Sequence, residues 1–154
     1  MRMMYAAALA AFALCAAPVA AAVRGDEVKY VGGTIAGLPQ DVEGDIEATD
    51  AEVIRWTSKK GKFEIPYETI TAIEYGQKAG RRLGLAIAIT PVALLSKKRR
   101  HFLSVTYKDA QGKQQGVVLE LPKKLPRMII TVLEARSGVK CEYESEEARK
   151  HVHG

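Results

Sequence analysis

The side chains able to act as nucleophiles, bases or metal ligands in this 154-residue sequence are few: His101, the pair His151 and His153, the thiol of Cys141, and the acids Glu144, Glu146 and Glu147. Two imidazoles one residue apart could hold a transition-metal ion, but one such pair on a terminal segment rarely makes a site. His101 directly follows Arg100 and reads as a solvated strand end, because no Ser, Thr or Asp can be set beside it from the sequence to complete a nucleophile and base. The three glutamates suit an exposed helix start, where negative charge meets the positive end of the dipole. Gly76, Gly80 and Gly84 recur every four residues, the spacing at which helices in lipid approach closely. Gln77, Lys78, Arg81 and Arg82 lie among them, so the stretch reads as a flexible loop entry, and with no G-K-[ST] ending it is not a phosphate-binding loop. The expectation is a noncatalytic protein with no cofactor and no metal.

The chemistry that does stand out is interfacial. An apolar run, Leu83 to Leu95, is bracketed by Lys78, Arg81 and Arg82 on one side and by Lys97, Lys98, Arg99 and Arg100 on the other. As a helix it would be only about 20 Å long, short of the roughly 30 Å hydrocarbon core, and Pro91 would interrupt it. It should not span a bilayer. Laid into an interface, each large aliphatic side chain contributes on the order of 1.5–3 kcal/mol, and each flanking cation about 1 kcal/mol against an anionic leaflet. The candidate contact residues are Arg81, Arg82, Leu83, Leu85, Ile87, Ile89, Leu94, Leu95, Lys97, Lys98, Arg99 and Arg100. The alternation of Leu85, Ile87 and Ile89 with Ala86 and Ala88 fits a second reading equally: core strands or a buried helix, with 97–100 as a solvated turn.

Compartment is read from the start. Arg2, an apolar stretch from Tyr5 to Leu14 and the small residues up to Ala22 have the form of a signal peptide over 1–22, cleaved after Ala21 or Ala22. The protein is expected to be exported, periplasmic or extracellular. Cys15 follows Leu14, where a lipoprotein signal wants a small residue, so Cys141 is the thiol left in the mature chain. A lone cysteine makes no internal disulfide, and its place in the alternation Val139, Cys141, Tyr143 reads as core. The formal charge is +5, but residues 76–101 hold seven Lys and Arg and no acid, so the rest of the mature chain is net acidic. Local basicity around an apolar run points to an anionic membrane surface or an envelope protein. Nucleic acid is not expected, since the basic clusters lack interleaved aromatics. Self-association through the same run would give a homo-oligomer.

These groups must be carried by a mainly β domain over 23–143, followed by a polar tail at 144–154. Period-two alternation and turn residues predict strands at Val28–Ile35, Asp45–Thr49, Val53–Thr57, Lys62–Tyr67, Ile70–Tyr75, His101–Lys108 and Gln115–Leu121, with a further short one at Val139–Tyr143. A helix is expected near 123–137, where Leu125, Met128, Ile129, Val132 and Leu133 recur at helical spacing, Pro126 fits the first turn and Ser137-Gly138 supplies a stop. Ser145 could cap a last frayed turn. Trp56, Phe63, Ile65, Ile73, Val105, Leu119, Ile129 and Leu133 should be buried together.

The stretch Phe63-Glu-Ile-Pro-Tyr-Glu-Thr-Ile-Thr-Ala-Ile-Glu-Tyr75 and the closing Leu133-Glu-Ala-Arg-Ser-Gly-Val-Lys-Cys-Glu-Tyr143 resemble the small bacterial members of the pleckstrin-homology-like and GRAM-like superfold. The resemblance covers about Val28 to Tyr143. It implies a bent sandwich or small barrel of about seven strands closed by the helix near 123–137, and it is silent on function. Phosphoinositide-binding members of the superfold carry Lys and Arg after their first strand. Here Ile35 to Thr49 has no basic residue and instead Asp41, Glu43, Asp45 and Glu47, which argues against that pocket.

Overall fold

The structure, a computed structural model, describes residues 24–77 and 100–154. In chain order these form β1 (Arg24–Gly33), β2 (Val42–Glu47), β3 (Val53–Ser58), β4 (Gly61–Pro66), a 3-10 turn (Tyr67–Thr69), β5 (Ile70–Gly76), β6 (His101–Lys108), β7 (Gln114–Leu121), α1 (Pro126–Ser137), β8 (Cys141–Tyr143) and α2 (Glu146–His153). The strands make one sheet in the order β4-β3-β2-β1-β7-β6-β5-β8. Two antiparallel meanders, β1 to β4 and β5 to β7, are joined where β1 pairs with both β2 and β7. That strand slips register between Tyr30 and Gly32, a bulge of the kind that bends a sheet.

The mainly β class with a C-terminal helix holds, and the closed-barrel alternative is corrected. Among the described residues the sheet has eight strands and two edges, because β8 adds to β5 in parallel, Ile73 opposite Cys141 and Tyr75 opposite Tyr143, at the place where closure would have to occur. The predicted second strand, 45–49, is shifted to 42–47. Its Gly44 looks like a turn residue but is a strand residue, since a Cβ there would lie 2.6 Å from the Trp56 ring. The indole needs that space. Its Nε1 donates to the Val28 carbonyl at 3.0 Å, and its ring stacks on Phe63 at 5.4 Å and tilts against Tyr30 at 5.8 Å.

The eight residues expected in the core share one cluster with side chains from all the strands and both helices. In β4, Phe63 and Ile65 point in while Lys62 and Glu64 point out. β6 and β7 depart from that simple alternation: Phe102, Ser104, Thr106 and Val118 are buried on the opposite face, and Val31 of β1 with them. α1 begins at Pro126 and ends at Gly138, whose φ of 75° is the left-handed stop anticipated at that position. Its buried stripe is Ile129, Ile130, Val132 and Leu133, whereas Met128 is 40 % exposed, a correction to the expected face. Near its C-terminus, Arg136 Nη1 donates to the Ala48 carbonyl at 2.8 Å and to the Tyr67 hydroxyl at 3.0 Å, fastening α1 to the β2–β3 loop and the 3-10 turn. Residues 144–154, expected as a polar tail, contain α2. Ser145 accepts from the Ala148 amide as its cap, and Ala148 and Val152, four apart, bury one narrow face.

Candidate functional site at the root of the β5–β6 connection

β5 and β6 are hydrogen-bonded neighbours in register to the rung Gly76 opposite Phe102, and the chain leaves and re-enters the sheet there. Both ends of that connection are pinned. The Gln77 amide donates to Glu144 Oε2 at 2.7 Å, and Arg100 Nη1 donates to Glu120 Oε2 at 3.0 Å. Among the candidate contact residues, Arg100 is therefore a half-buried ion-pair partner rather than an open cation. Arg81, Arg82, Leu83, Leu85, Ile87, Ile89, Leu94, Leu95, Lys97, Lys98 and Arg99 lie outside the described residues.

At the same end of the sheet all three histidines of the chain come together with two tyrosines. His101 opens β6 opposite Leu121, on the strand face that also carries Leu103 and Val105. The parallel pairing of β5 with β8 sets Tyr75 beside Tyr143, their ring centroids 6.2 Å apart and edge to face. α2 then lays His151 on His101, centroids 4.4 Å apart and 15° from parallel, with His151 Nε2 3.1 Å from the Lys123 carbonyl. The Tyr75 hydroxyl lies 2.6 Å from His101 Nδ1, and the Tyr143 hydroxyl 2.8 Å from His153 Nε2.

Burial raises both phenols well above the ordinary tyrosine range, the Cys141 thiol adding to the effect on each. They stay protonated and are assigned as donors, which puts the His101 proton on Nε2. Burial, followed by the nearby His151 and Lys123, pushes the His101 imidazole below its usual value of 6.5. With His101 neutral the stacked rings clamp α2 to the sheet, and a charge on His101 would oppose that clamp. No group of three or more His, Cys, Asp or Glu side chains able to hold a metal occurs among the described residues.

A His whose folded value is depressed binds protons better when unfolded, so its contribution is present above about pH 6.5 and is lost as the pH falls toward the lower folded value. Thermal melts of the parent should therefore lose stability below pH 6.5. His101→Gln should flatten that fall, and superimposable pH profiles for the two proteins would show that His101 is not the group responsible.

The sequence flagged each histidine singly and missed the assembly. One signal was available: in the β6–β7 hairpin, His101 has the same parity as Leu103 and Val105, so it faces inward rather than to solvent. Neither a protein-family model nor a curated protein matches this chain.

Proposed function

We propose that the protein is a noncatalytic, exported, pleckstrin-homology-like module that attaches peripherally to an anionic membrane through residues 81–101. The observation that carries this reading is the β5–β6 connection. Hydrogen-bonded antiparallel neighbours are joined most simply by a loop of about two to five residues. Here the connection runs instead from 77 to 100, both of its described ends are pinned, and the sequence between them contains the basic-flanked apolar run. Two meanders followed by a core-facing helix support the superfold resemblance. The leader-like start supports export.

Reversing Lys98 and Arg99 to Glu should abolish the preference for anionic over neutral vesicles in a flotation assay. Folding should be nearly unaffected, because exposed charges contribute little to stability. Binding of the parent should weaken as salt rises, on the scale set by a Debye length of about 8–10 Å. Parent protein that floats equally with neutral and anionic vesicles would overturn the electrostatic half of the reading.

One observation favours a second reading, in which the same run packs against protein. Val31, Phe102 and Val118 are at most 2 % exposed, yet they stand apart from the core cluster that the helices join, so β1, β7 and β6 carry apolar side chains withdrawn from water on their outward side as well. Ile87→Ser separates the two. Under the membrane reading its melt matches the parent while vesicle binding falls. Under the packing reading it buries an unpaired hydroxyl and removes contacts, costing several kcal/mol.

A further inference from the structure

We propose that the first turn of α1 and the residues leading into it form a second anionic-lipid contact, made by Lys123, Lys124, Arg127 and Met128. The inference rests on the membrane reading above and extends it to residues outside the β5–β6 connection. Leu121 stands opposite His101, and the chain runs from there directly into α1, so this turn begins beside the root of that connection. The link is direct: the Lys123 carbonyl meets His151, and His151 stacks on His101, the residue after Arg100.

The surface has the composition a headgroup layer selects. Met128 is the one large hydrophobic side chain strongly exposed among the described residues. Lys123, Lys124 and Arg127 around it are exposed, and none of them makes an ion pair among the described residues. Arg55, Arg100 and Arg149, by contrast, each hold a carboxylate. The first turn of α1 has no acidic residue, so nothing local competes with an outside anion. An unbranched apolar side chain ringed by unpaired cations matches an interface that is anionic at its surface and greasy beneath. A dry protein interface would leave those cations desolvated without partners, at high cost.

The test uses full-length mature protein and two vesicle compositions, phosphatidylcholine alone and phosphatidylcholine with phosphatidylserine. Three proteins are compared: the parent, Lys124→Gln with Arg127→Gln, and Lys98→Glu with Arg99→Glu. Removing two surface cations should weaken binding to the anionic vesicles on the order of 30-fold. The thermal melt should not change, and Met128→Ser should lower binding further. If both variants lose affinity, the two contacts act together. If the Lys124/Arg127 variant binds like the parent while the Lys98/Arg99 variant does not, this inference falls and the reading of the connection stands. The reverse pattern sustains the α1 contact and removes the connection from the interface. A parent that floats with neither vesicle overturns both.

Discussion

Trp56→Ala should cost about 3–5 kcal/mol, a large share of the roughly 5–15 kcal/mol that holds a domain of this size folded. The indole has no exposed surface, and three features of the fold converge on it. It fills the space above Gly44, stacks on Phe63, tilts against Tyr30, and donates to the Val28 carbonyl two strands away on β1. Alanine would open a cavity and leave that carbonyl without its partner, so transfer, cavity and hydrogen-bond losses fall together. Trp56→Phe separates them, since it retains most of the volume and stacking but no donor. Denaturant titrations should rank the parent above Trp56→Phe and Trp56→Phe above Trp56→Ala. A loss below about 1 kcal/mol for Trp56→Ala would mean that β1, β2 and β3 are held together from elsewhere.

Leu133→Ala is expected to cost about 2–5 kcal/mol by the same transfer and cavity terms. Leu133 is fully buried on the α1 stripe, and it reports whether that helix closes the core or merely lies on it. Exposed Met128, five residues earlier on the same helix, is the internal control: Met128→Ala should stay within about 0.5 kcal/mol. A Leu133→Ala loss under about 0.5 kcal/mol would remove α1 from the core.

What could be read from the sequence was what is local. The hairpin of β3 and β4 was legible because Phe63 and Ile65 alternate with Lys62 and Glu64 over adjacent residues, and the α1 stop because Gly138 suits a left-handed cap. What was missed depends on distant partners. Gly44 reads as a turn until Trp56 lies over it. α2 has only Ala148 and Val152 to bury, too thin a stripe to announce a helix, and its docking onto the sheet end supplies the rest. The imidazole and phenol cluster was invisible for the same reason, since His101 and His151 meet only because β8 returns in parallel beside β5. Spacing alone puts Met128 on the inward stripe. Helical spacing defines a stripe but not which edge of it turns to water, and the helix rolls to bury Ile130 instead.

The buried thiol of β8 has a practical consequence. Burial, reinforced by the carboxylates of Glu134, Glu142 and Glu74, pushes Cys141 up to about 12. At pH 7 only on the order of one molecule in 10⁵ then carries the thiolate that attacks disulfides and alkylating reagents. Cys141 should remain reduced and unlabelled in an oxidising compartment as long as the sheet is intact. A chain that starts at residue 23 retains Cys141 as its one cysteine, so a single cysteine introduced at Met128 or within 83–95 can carry a polarity-sensitive dye with little background from the buried thiol. Cys141 becomes reactive only when the strand beside β5 comes away, so the rate at which it captures a maleimide is a clock for opening of that edge.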